Sequence, residues 1–120
     1  MQQVNPIAVV EMESFLAATR KLMDDAEREE LVAYLAYNPT AGAVLQGTGG
    51  VRKLRWGLEG RGKRGGARVI YFFHDFEMPL FILDVFAKNE KADLSQTERN
   101  RLHFATRQIV EAYKRRGATR

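Results

Sequence analysis

Two stretches of this chain, Ala67 to Asp75 (ARVIYFFHD) and Leu80 to Lys88 (LFILDVFAK), are apolar at nearly every position rather than at every second one. β-Branched and aromatic residues dominate both, and Met78-Pro79 marks the turn between them. Strands apolar on both faces in this way read as central strands of a sheet. Val51 to Leu58 supplies a further strand by alternation, with Lys53 and Arg55 on one side and Leu54 and Trp56 on the other. Val4 to Val10 is short and apolar enough for one more, which Pro6 confines to an edge or an early strand position.

Elsewhere the period is helical. Phe15, Leu16, Thr19, Leu22 and Met23 recur at three and four residues, and Leu31, Val32, Leu35 and Ala36 continue a second stripe. Asp24 with Glu27 offers a capping box between them, and Asn38-Pro39 ends the pattern. Residues 11–37 are therefore one bent helix or two helices meeting near Asp24. Ser95 with Glu98 opens a last helix running to Arg116, whose inward stripe is Leu102, Ala105, Ile109 and Tyr113. The order β-α-α-β-β-β-α predicts an α+β domain, a small antiparallel sheet with helices packed on one face.

At 120 residues the chain makes one domain, 1–120, with enough length for a core that needs no covalent staples. It contains no cysteine, which excludes disulfides, thiolate metal sites and a cysteine nucleophile. No apolar run is long enough to span a bilayer, and Met1 to Pro6 lack the character of a secretion signal. A cytoplasmic protein without membrane contact is expected.

The net charge of +4 is unevenly spread: residues 47–74 hold seven bases against Glu59 alone, a local +6. Such a field suits a polyanion, although basic stretches are commonly only solvated faces. Parity decides between these readings. If Phe81, Leu83, Val85 and Ala87 form the core side of their strand, Ile82, Asp84, Phe86 and Lys88 lie opposite. Lys53 and Arg55 on one strand, and Arg68 with Ile70, Phe72 and His74 on the next, then fall on that same side. Cations from three strands among apolar neighbours predict a basic cleft floor. Gly57 to Gly66 lacks both the GxxxxGK[ST] order and a following helix, so it is no phosphate loop. It reads as a hairpin tip whose Arg61, Lys63 and Arg64, with Arg52, can lie along a phosphate backbone. His74 and His103 have no ligand-spaced partner, and no metal or other cofactor is expected. Asp84 either orients Lys88 or is a plain charge partner.

Three segments together, Leu45 to Arg55 (LQGTGGVRKLR), Gly65 to Tyr71 (GGARVIY) and Phe86 to Leu94 (FAKNEKADL), resemble the RelE superfamily of toxin–antitoxin toxins, with its HigB-like branch nearest. The resemblance is densest over 45–98. It implies a ribosome-dependent endoribonuclease that cuts translated mRNA and is silenced by a cognate antitoxin protein. It also implies site residues. Lys53 and Arg55 match the basic pair of the first cleft strand, Arg68 the arginine of the next, and Lys88 and Lys91 the basic residues after the last. Where the best-known members carry a tyrosine near the start of the C-terminal segment, Leu94 and Ser95 stand here.

Cleavage without metal requires the ribose 2′-OH to attack its neighbouring phosphate. Guanidinium groups such as Arg68 suit the charge that gathers there, and Lys53 or Lys88 is the candidate base if like charges favour its neutral form. DNA, lacking the 2′-OH, should be spared. Two alternatives of other classes share the same features: a ParE-like inhibitor of DNA gyrase without RNA cleavage, and a non-catalytic RNA- or ribosome-binding module.

Overall fold

Every segment with strand character pairs into one sheet in the computed structural model, which describes residues 5–58 and 66–118. The elements are β1 (Val9–Glu11), α1 (Glu13–Thr19), α2 (Asp25–Tyr37), β2 (Ala43–Val44), β3 (Val51–Trp56), β4 (Ala67–Phe72), β5 (Leu80–Ala87) and α3 (Gln96–Ala118). The sheet runs β1-β5-β4-β3-β2. The α+β class and the expected order hold, with the two-residue β2 added at an edge. The break near Asp24 is real. Its carboxylate accepts the Glu27 N–H at 2.8 Å while Glu27 accepts the Asp24 N–H at 3.0 Å, so two helices meet there. Ser95 and Glu98 make the same reciprocal pair at the start of α3.

Two expectations need correcting. The sheet is mixed, because β1 joins β5 in parallel at the edge while the other pairings are antiparallel. The helices also cover both faces. On one, Phe15, Leu31 and Leu35 of α1 and α2 pack on Leu54, Val69, Tyr71, Leu80 and Ile82. On the other, Leu102, Ile109 and Tyr113 of α3 pack on Val51, Ile70, Phe72, Phe81 and Leu83. The cause lies in β4 and β5, whose side chains are apolar on both sides, so covering one face alone would leave the other row in water.

The parity of β5 also departs from strict alternation. Ile70 pairs with Asp84 but Tyr71 with Ile82, so Leu83 is one residue more than β4 can match. This β-bulge shifts the phase. Phe81, Leu83 and Phe86 face α3, whereas Leu80, Ile82, Val85 and Ala87 face α1 and α2. The single apolar face expected of Phe81, Leu83, Val85 and Ala87 is split between two cores, and Ile82 leaves the side that carries the cations.

Tyr71 ties the sheet to the segment that enters it. Its hydroxyl, buried under α2, donates to the Pro39 carbonyl at 2.9 Å and accepts the Gly42 N–H at 2.8 Å. Tyr71→Phe leaves both backbone groups without that partner and should cost about 1–3 kcal/mol, measured by urea denaturation, with little change in circular dichroism.

Candidate nucleic-acid interface

Because Leu54 points into the α1/α2 core, its neighbours Lys53 and Arg55 emerge on the α3 side of β3. Val69 and Tyr71 fix β4 in the same way and send Arg68, Ile70 and Phe72 to that side. Register then aligns them in rows across the sheet. Arg55 stands opposite Arg68, which stands opposite Phe86; one rung along, Lys53, Ile70 and Asp84 make the second row. α3 packs on this face in one cluster with Val51, Ile70, Phe72, Phe81 and Phe86, while Lys53 is half-buried and Arg55 exposed. The second face is thus apolar at one end and cationic at the other.

Arg68 is the most constrained of the cations. It is 5% exposed, and one guanidinium nitrogen lies 3.3 Å from the Ala67 carbonyl. Across the ladder it faces Arg55, and like charges directly opposite each other repel.

The turn after β5 carries the remaining groups. Lys88 N–H bonds the Gly66 carbonyl at 3.0 Å, closing the strand end over a glycine with φ of +61°. A Cβ at that glycine would lie 2.4 Å from the Trp56 carbonyl, so only glycine fits. Lys88 itself is exposed, its amine 3.5 Å from the Ala92 carbonyl. Lys91 lies over the Phe86 ring, 5.1 Å from its centroid, and ion-pairs with Glu98. Asp93 joins two elements: Oδ1 is 3.1 Å from Lys53 Nζ, and Oδ2 is 3.7 Å from Arg99.

These carboxylates were not anticipated as part of the site. Asp93 lies against Lys53 and Glu98 against Lys91. The N–H of Leu94, and secondarily Lys53 and Arg99, hold the Asp93 carboxyl below its usual range. Glu98 is held low chiefly by its bond to Lys91, with help from the Ser95 N–H. Asp84 moves the other way, raised by burial against the opposing pull of the Val85 N–H and Lys91. Sequence reasoning gave Glu98 a capping role, which it has, and overlooked its second oxygen. Arg99 was overlooked entirely; the one available signal was its position on the first turn of the helix that follows the KNEK segment.

Among the expected site residues, Lys53, Arg55, Arg68 and Lys91 come together, with Lys88 at the rim of the same sheet end. Arg52 does not join them. It points to the opposite side of β3 and braces the incoming chain, donating to Gly42 O at 2.8 Å and Thr40 O at 3.3 Å. Arg61, Lys63 and Arg64 lie outside the described residues. His74 sits past the end of β4 beside Asp75 and stacks on Phe72. Among the described residues no group of His, Asp and Glu is placed to hold a metal ion, and no helix is long and apolar enough to cross a membrane.

A family model described as the RelE toxin of the RelE/RelB toxin–antitoxin system matches residues 14–116, nearly the whole chain. The chain belongs to this family. Among solved structures, it is similar to the E. coli toxin RelE, seen as a double arginine-to-alanine variant in the free state. The two share 21% identity and superpose with a TM-score of 0.51, covering 72% of this chain and 88% of that one. At that identity the likeness establishes the fold.

The raised Asp84 carboxyl has a testable consequence. A group whose folded value lies above its unfolded one favours the fold at low pH, and that contribution is lost as pH rises through the folded value. Asp84→Asn should therefore be more stable than the parent chain at neutral pH. The advantage should shrink as pH falls to about 4, the ordinary carboxyl range, in urea titrations at both values.

Proposed function

We propose that this RelE-family chain, of HigB-like character, is the toxin of a type II toxin–antitoxin pair and a ribosome-dependent endoribonuclease acting on translated mRNA. One observation carries the reading: Arg55 and Arg68 face each other across the ladder, with Lys53 one rung away and Lys91 over the neighbouring Phe86 ring, so four cations gather at one end of the α3 side of the sheet. Cations for the backbone are what binding of a single RNA strand requires.

In this reading the 2′-oxygen attacks the adjacent phosphorus, forming the 2′,3′-cyclic phosphate as the P–O5′ bond breaks. Charge growing on the non-bridging oxygens is met by Arg68, held in a dry, fixed position that costs no reorganisation. Arg55 and Lys91 hold the flanking backbone. Of the two amines suggested as base, Lys53 is engaged by Asp93. Lys88 meets no carboxylate among the described residues and takes the 2′-OH proton. The 5′-oxygen leaves with a proton from water. Cations do the work a metal would otherwise do, so chelators should not matter. A site with this few proton-transfer groups relies on the ribosome to align the message, which supplies the proximity term. A basic half-face of this kind calls for a neutralising cognate antitoxin, and the ribosome and mRNA are the other partners, all in the cytoplasm.

The test is to add the protein to a translating extract and map mRNA 5′ ends. Cuts within translated codons are expected, unchanged by EDTA, and reduced about 10²–10³-fold by Arg68→Ala. Arg68→Lys, which keeps the charge but loses the fork, should fall between. Intact mRNA with blocked gyrase supercoiling would favour the inhibitor class, and intact mRNA without it a passive binder.

A further inference from the structure

The position of Asp93 points to a pairing that the expected residue set does not include. Its carboxylate sits between two cations from different elements, Lys53 on β3 and Arg99 on α3, each oxygen turned to one of them. A carboxylate and a phosphodiester each offer two charged or partly charged oxygens on one central atom, and a lysine–arginine pair serves either. We infer that Lys53 and Arg99 form a phosphate subsite for the RNA strand, and that Asp93 occupies it as an internal stand-in until the strand displaces it. The inference rests on the reading of this half-face as an RNA site, and deepens it by adding Arg99 and giving Asp93 a role.

The two contacts are unequal in a way that suits displacement. Lys53 Nζ at 3.1 Å is a hydrogen-bonded ion pair, but Arg99 at 3.7 Å is beyond hydrogen-bond reach and feels Asp93 only through charge. The other terminal nitrogen of Arg99 reaches the Gln46 carbonyl at 3.4 Å, which steadies the guanidinium without neutralising it. Asp93 is itself half exposed, with 48% of its side chain open to solvent, so its departure uncovers no apolar surface. It has a second anchor in the Leu94 N–H at 2.8 Å, which remains when the cations are taken over. Glu98 stands in the same relation to Lys91, and its removal would free that lysine as well. The location is also right: Lys53 lies in the row beside Arg55 and Arg68, so a phosphate held there is a neighbour of the one being cut.

The measurement is binding of a short single-stranded 2′-O-methyl oligoribonucleotide by fluorescence anisotropy across a salt series. This probe has no 2′-OH to attack, so it reads affinity apart from catalysis. Asp93→Asn keeps an oxygen for the Leu94 N–H and removes the competing charge. It should tighten binding about three- to tenfold. Arg99→Ala should weaken it and reduce the slope of log affinity against log salt by about 0.7, one phosphate contact on a single strand. Arg99→Lys, with its charge kept, should retain the slope. If the parent chain binds and Arg99→Ala leaves the slope unchanged, or Asp93→Asn fails to tighten binding, the subsite is overturned while the RNA-site reading stands. If the parent chain has no affinity at any salt, that reading itself fails and takes the subsite with it. A loss of melting temperature in Arg99→Ala with affinity and slope intact would mark Arg99 as a structural brace and likewise overturn the subsite.

Discussion

The strands β4 and β5 are apolar on both faces, and the rest of the molecule answers that constraint. One side is met by α1 and α2 with a dense core around Phe15, Leu31, Leu35 and Tyr71. The other is met by a single helix, α3, in a cluster with Val51, Ile70, Phe72, Phe81 and Phe86. At one end of this face the apolar row gives way to charge. The chain places Lys53, Arg55 and Arg68 there, beside Phe86. Hydrophobic cover and cationic site are therefore two solutions to one geometric problem, divided along the length of the same strands.

Electrostatics then limits how exposed such a strip can be in the free protein. Arg55 and Arg68 stand opposite each other as like charges, which repel. Acids placed just after β5 offset some of this, Asp93 towards Lys53 and Arg99, Glu98 towards Lys91. Individually these are surface pairs of small worth in stability. Their effect is on potential: they lower the field of the site when nothing is bound.

Much of the architecture was legible in the residues. Period two in Val51 to Leu58, two-sided apolarity in β4 and β5, and the capping boxes at Asp24 and Ser95 each encode their element locally, and each is found. What was not legible depends on pairing partners. The Leu83 bulge cannot be seen along β5, because it exists only relative to β4, and it reverses the parity of everything before it. The parallel edge strand β1 and the second helical layer are likewise matters of tertiary choice, although continuous apolarity in β5 argued against a one-sided sheet. At the site, Lys53, Arg55 and Arg68 followed from alternation alone. Arg52 was misassigned because adjacency in sequence to Lys53 puts it on the opposite face. Asp93 and Arg99 were missed because their relevance arises where a turn and a helix fold back onto β3.

The borders of the sheet have a consequence of their own. β1 offers three residues and β2 only two, against six to eight in the interior strands. An apolar centre with long, flat margins would be a template on which further chains could grow. Margins this short give an incoming segment too few backbone groups to hold it. The molecule thus carries a centre fit for aggregation behind two edge strands that each offer little backbone to extend.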